Sequence, residues 1–470
     1  MSPRWGVTLA SELFVGLVGL APARADAPAL EAHAQVRGAD VETAEMRAAG
    51  GGWRAVAWSD LERTQLSAGP YEVRIRVDGS AETTAIEVPW CAGRTRITLD
   101  GHDVAAAAGP RVVPVPPGSH DVAMALTVSS YEGRIACGER PRVGSAVRTM
   151  EGLGLLTFAS PQREAGGGRA VVYVPAGHDP HKPAALLVGL HPWNGSIWTY
   201  AAYASLLREA AARDVVLLMP SGLGNSLYAA AAEDEVIRAI DAASAVVAVQ
   251  AEGVSIWGAS MGGAGATTIA FHRPDRFASV TSFFGDSKYD LASYVRAILP
   301  TESAAHRVNA LDVVDNARHL AVRLVHGEDD KTAPLRQSEM LATAMRDRGF
   351  AIRFDRVSGV GHSGGLVARY LPEVVDDAAV WRSEVSPSRV TYRSVRSQDT
   401  GAYGVRIERS SAHDDAFIDI ERTGETVHVR HAEAVRAIIL SRGALGASRT
   451  EPSAIVDDTH SVNARWEFGP

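Results

Sequence analysis

Between residues 150 and 382 five apolar runs recur: AALLVGL, DVVLLMP, VSIWGAS, ASVTSFFG and AVRLVHG. They alternate with long amphipathic stretches such as YAAYASLLREAAARD and EDEVIRAIDAASAVVAV. A strand that is apolar at nearly every position is buried on both faces. Parallel strands joined by helical crossovers meet that requirement, because each crossover lays a helix over the sheet. The alternation therefore predicts a doubly wound, mainly parallel α/β sheet over residues 150–382.

The flanking segments have a different rhythm. Residues 26–145 carry YEVRIRVDG, TAIEVP, TRITLDG, RVVPVP and HDVAMALTV, short β-branched runs divided by D-G, P-G and S-G turns. That spacing predicts a β-sandwich-like N-terminal domain. Residues 388–470 return to short strands, SRVTYRSV, YGVRIER, AFIDIER, TVHVR and AIILS, and predict a second small β domain. Gly424-Glu425 between two of these runs suits a tight hairpin.

Residues 1–25 have the pattern of a signal peptide: Arg4, the apolar stretch VTLASELFVGLVGL, and the A-x-A site Ala23-Arg24-Ala25. The expected location is secreted or periplasmic. No later run approaches the ~18 apolar residues of a membrane span. The two cysteines, Cys91 and Cys137, are expected to pair in an oxidising compartment. They are too few for a zinc site, neither H-E-x-x-H nor C-x-x-C occurs, and no metal or cofactor is expected. A net charge of −8 without a basic stripe argues against a nucleic-acid partner.

The run SIWGASMGGAGATT holds Ser260 between an apolar strand and a stretch of very small residues. A serine there sits on a sharp strand-to-helix turn, where bulk at Gly258 or Gly262 would clash. The turn lifts Oγ above the sheet edge, next to a helix N-terminus that favours negative charge. Further on, LVHGEDDKTAP starts as a buried strand and ends with Asp329 and Asp330 in a polar turn. After the strand IRFDRV, GVGHSGG places His362 in a glycine-flanked loop.

The motifs GASMGG, HGEDDKTAP and GVGHSGG, with EDEVIRAID ahead of the nucleophile strand, resemble those of the α/β-hydrolases. The resemblance is to their secreted esterase and prolyl-oligopeptidase-like branch, which includes feruloyl esterases, acetylxylan esterases and polyhydroxyalkanoate depolymerase-like enzymes. It covers about half the chain. It implies a serine hydrolase cleaving carboxylic esters through Ser260, Asp330 and His362, with Asp330 favoured over Asp329 because the acid follows the H-G glycine by three residues. It implies an oxyanion loop at LVGLHPWNGS, where Pro192 replaces the usual glycine and has no N–H to give. Trp193 and Met261 are then the expected backbone donors. Of the aromatics near the mouth, Trp198, Tyr228 and Phe283 are expected to line the substrate pocket. A peptidase of the same triad order is the alternative. A third reading is a carbohydrate- or surface-binding protein with a relict hydrolase core, since two β domains flank the catalytic one.

Overall fold

Eight strands from the central segment and one from the N-terminal segment assemble into one nine-stranded sheet in the computed structural model, which describes residues 27–80, 84–104, 108–163, 167–447, 454–459 and 462–467. The expected signal peptide, residues 1–25, lies outside the described residues. In chain order the strands are β1 (Ala29–Leu30), β2 (Gly152–Phe158), β3 (Gly168–Val174), β4 (Ala184–Leu190), β5 (Val215–Pro220), β6 (Val249–Ala259), β7 (Ser279–Phe283), β8 (Ala321–Gly327) and β9 (Ile352–Val357). Their order across the sheet is β1-β2-β3-β5-β4-β6-β7-β8-β9. The pairs from β1 to β5 in that order are antiparallel, and every pair from β5 to β9 is parallel.

Among the described residues the longer α-helices cover the sheet: α1 (Ala204–Arg213), α2 (Ala231–Val246), α3 (Met261–His272), α4 (Arg336–Asp347) and α5 (Gly364–Val380). Side chains alternate in direction along each strand, so one set of strand residues meets one layer and the next set meets the other. Leu186, Val188, Leu218, Ile256 and Leu324 pack with α2, α3 and α4. Leu187, Leu217, Trp257 and Val325 pack with α1 and α5. This two-sided burial is why the runs are apolar at successive positions. From β4 the chain goes to β5 on one side and then to β6 on the other. The resulting switch point, at the carboxyl ends of β4 and β6, is where open α/β sheets bind ligands.

The N-terminal domain is a sandwich of a six-stranded and a four-stranded antiparallel sheet. A Cys91–Cys137 disulfide lies buried in its core. Its first strand is His33–Asp40. Residues Ala29–Leu30, expected at the start of this domain, instead pair with Leu156 and Thr157 on the edge of the catalytic sheet. The C-terminal domain has two four-stranded sheets, and Gly424-Glu425 forms the two-residue link between paired Thr423 and Thr426. It is docked by buried charge. Arg396 forks onto Glu233 at the start of α2 (2.6 Å) and onto Asp399 (2.8 Å). Buried ions need such paired partners.

Candidate active site

Ser260 joins β6 to α3 with φ +58° and ψ −121°. Only a few per cent of non-glycine residues take positive φ, so the turn is held by its surroundings. The Ser260 N–H donates to the Phe283 carbonyl at the end of β7 (2.9 Å). The glycines let α3 approach. A Cβ on Gly258 would lie 2.4 Å from the Gly262 carbonyl carbon, and one on Gly262 would lie 1.8 Å from the Leu190 oxygen. Tyr200, buried, ties the two strand ends of the switch point together: its hydroxyl donates to the Leu190 carbonyl (2.8 Å) and accepts from the Ala259 N–H (3.0 Å). The sequence shows Tyr200 as one aromatic among many, and a contact between separate strands leaves no local signal.

Asp330 follows β8 in the polar turn. One carboxylate oxygen accepts the N–H groups of Thr332 (2.8 Å) and Ala333 (2.9 Å). The other meets Nδ1 of His362 at 2.7 Å. Burial works to raise the Asp330 carboxyl, but the bond with His362 and the two backbone donors outweigh it and hold the group below the usual aspartate range. A carboxylate only accepts, so Nδ1 carries the proton and Nε2 is left as the basic nitrogen. Asp329 is exposed, and its backbone N–H donates to Val360. Ser260 Oγ makes no hydrogen bond to any described residue.

The loop after β4 is pinned at several points. Buried His191 places Nδ1 against the Pro192 carbonyl and Nε2 against the Ser221 carbonyl, each at 2.9 Å. Gly195 N–H donates to Pro192 O (2.9 Å), closing a turn. Asn194, at φ +60°, exchanges two hydrogen bonds with Asn225. The N–H groups of Trp193 and Met261 donate to no described residue. The Met261 N–H is also the first of α3, where helical N–H groups lack intrahelical partners.

The expected pocket residues are placed differently. Phe283 and Tyr228 are fully buried. Phe283 is the last residue of β7 and packs on Trp257 in the core (5.9 Å). Its neighbour Phe284, at φ +41°, is buried in the same core cluster and also lies on the His362 ring at 4.3 Å. Tyr228 is wedged against Gly222 and Gly265, and its hydroxyl donates to the His191 carbonyl (3.2 Å), so it supports the loop after β4 from behind. Trp198 is half-buried between the domains, against Trp90 (6.2 Å) and Gly109. Two solvent-exposed aromatics meet at this loop, Trp193, 36% exposed, and Tyr294, 49% exposed, edge to face at 5.6 Å.

Asp286 gave no sequence signal. It follows Phe284 by two residues, and its carboxylate makes no hydrogen bond or ion pair with any described residue. Burial pushes it up to about 6; the negative charge of Asp290 adds to the shift and that of Asp330 contributes a little, while His362 works the other way. Among the described residues no group of three or more His, Cys, Asp or Glu is arranged to hold a metal ion, and no helix is long and apolar enough to cross a membrane.

Residues 169–364 match the Esterase family. The match runs from β3 to the first residue of α5 and includes all three triad candidates. No curated protein matches the chain. Similar solved structures include the Staphylococcus aureus fluorophosphonate-binding serine hydrolase FphF, at 17% identity and TM-score 0.42, covering 48% of this chain and 97% of that one. An S-formylglutathione hydrolase from Agrobacterium tumefaciens is 18% identical with TM-score 0.43, covering 48% and 94%. A ferulic acid esterase is 19% identical with TM-score 0.42, covering 48% and 98%.

Proposed function

We propose that this ester hydrolase is exported from the cytoplasm and works through Ser260, His362 and Asp330 with a covalent acyl-enzyme. Ser260 Oγ attacks the ester carbonyl carbon while Nε2 of His362 takes its proton. The carbonyl oxygen becomes an oxyanion, held by the Trp193 and Met261 N–H groups. When the C–O bond breaks, His362 returns the proton to the leaving alkoxide. Water then repeats the sequence on the acyl-enzyme and frees the acid. Asp330 keeps its charge throughout and holds the imidazole in one tautomer.

The observation that supports this reading is the Asp330–His362 pair, with Phe284 on the His362 ring and Ser260 bonded through its N–H to Phe283, the residue before Phe284. Nδ1 is committed, and Nε2 is the one ring nitrogen left for proton transfer. The open Trp193–Tyr294 pair favours an ester with a flat or ring-bearing group, since such rings stack on aromatic faces. The buried Cys91–Cys137 disulfide supports an oxidising compartment.

The test is labelling with a fluorophosphonate, followed by peptide mapping and rates on p-nitrophenyl acetate and a peptide anilide. The label is expected on Ser260, with turnover of the ester far ahead of the anilide. Folded protein that takes no label at Ser260 overturns the triad, and faster anilide cleavage makes the protein a peptidase. For export, protein recovered outside the cytoplasm is expected to begin at Asp26; recovery only inside, with Met1 intact, defeats that part.

A further inference from the structure

We propose that the N-terminal β-sandwich is a working part of the active site, its Tyr131–Arg134 segment positioning His362. The inference rests on the reading of His362 as the catalytic base and adds the element that holds it.

The loop carrying His362 contains Gly359, Gly361, Gly364 and Gly365. Glycine permits many backbone states, so such a loop does not hold an imidazole still by itself. The catalytic domain contributes one wall, Phe284 at 4.3 Å. The sandwich contributes the other, with the Tyr131 ring 6.0 Å from the His362 ring. Around it the two domains are joined at the residue two beyond the histidine. Gly364 N–H donates to the Tyr131 carbonyl (2.9 Å), and Arg134 reaches the Gly364 carbonyl (3.4 Å). Glu132 accepts the Tyr203 hydroxyl from the catalytic domain (3.0 Å).

Gly364 is glycine because of this contact. A Cβ there would stand 2.8 Å from Glu132 Oε2 and from the Tyr203 hydroxyl, and 2.9 Å from Tyr131 Cε1. The sandwich side is stiff. Gly133 N–H donates to Ser129 O (2.9 Å), and Leu66 N–H donates to Gly133 O (2.7 Å). The Tyr131 hydroxyl is buried and has no hydrogen-bond partner among the described residues, so the tyrosine acts here through its ring. A misplacement of about 1 Å in a reacting group can cost on the order of a hundredfold in rate.

The experiment measures kcat and KM for p-nitrophenyl acetate in the full-length protein and in Tyr131→Ala, Tyr131→Phe, Gly364→Ala, the Tyr131→Ala/Gly364→Ala double variant and His362→Ala. Tyr131→Ala and Gly364→Ala are each expected to lower kcat tenfold to a hundredfold with KM within about threefold, the pattern of lost positioning. Tyr131→Phe keeps the ring and is expected to stay within threefold. The double variant is expected to lose far less than the product of the single losses, because both act through one contact. If Tyr131→Ala does not fold, Tyr131→Leu, which fills space without a flat ring, carries the same expectation. Folded alanine variants with the parent kcat, losses confined to KM, additive losses, or a Phe variant as poor as Ala would each overturn the proposal. His362→Ala separates the two levels. Activity surviving there defeats the triad itself, whereas a dead His362→Ala beside fully active Tyr131 and Gly364 variants defeats only the positioning role.

Discussion

Replacing Asp286 by asparagine should stabilise the protein at neutral pH and do nothing for it in acid. The Asp286 carboxyl is raised from the ordinary aspartate value of 3.8 to about 6, first by burial and then by Asp290. The folded protein therefore holds a proton there that the unfolded chain has already released. Where the folded state binds more protons, stability falls as pH rises. The fall runs from about pH 4 to about pH 6 and is complete above that, once both states are ionised. A gap of about two in pKa, at 1.36 kcal/mol for each, sets the loss on the order of 3 kcal/mol, and relaxation or entering water reduces it. Asparagine has no charge to bury. Urea unfolding of parent and Asp286→Asn at pH 8 should show the variant more stable by about 1–3 kcal/mol, the gap closing by pH 4. An equal gap at both pH values would show that the effect is packing rather than ionisation. A less stable variant at pH 8 would mean that the carboxylate has a partner worth more than its burial costs.

Three further outcomes follow from the site. Asp330→Asn should keep the fold but lower kcat by up to ~10⁴ through the wrong imidazole tautomer, while exposed Asp329→Asn stays within about tenfold; reversed results on p-nitrophenyl acetate would move the acid to Asp329. Pro192→Gly should alter kcat by less than about tenfold, because the Trp193 N–H is already free, and losing an oxyanion donor costs on the order of 10²–10³; a hundredfold gain would show that proline disables the hole. Gly262→Ala should destabilise by about 1–3 kcal/mol or more, since its Cβ would meet the Leu190 carbonyl oxygen, which is backbone and cannot rotate away; an unchanged urea midpoint would contradict the close packing of α3 on β4.

The parts of the fold legible in the sequence are those with a local signal. Runs buried on both faces announce the parallel strands, and Gly258, Ser260 and Gly262 mark one turn because each is needed within five residues. Asp330 and His362 each end a recognisable strand or loop. The rest depends on contacts with no period. Strand β1 is two residues long, too short to alternate. Phe283 and Phe284 stand side by side in one core cluster, and that only the second also meets the His362 ring is a contact between distant segments. Tyr228 and Trp198 look like pocket aromatics until their partners, His191 in one case and Trp90 in the other, are known. Tyr131 belongs to a different domain from the histidine it touches. Asp286 is informative through what it lacks, a partner, and a sequence does not display that.

The pairing of β1 with β2 has a mechanical consequence. The chain leaves the catalytic sheet after Leu30, builds the whole sandwich, and re-enters the sheet at Gly152 on the neighbouring strand. The sandwich is thus hung from two adjacent, hydrogen-bonded points. A domain on one linker can swing and spin about it. One hung from two can rock about the line between them, but it cannot revolve without peeling an edge strand from the sheet. It is a handle rather than a pendant, and torque applied to it is delivered to the edge of the catalytic sheet.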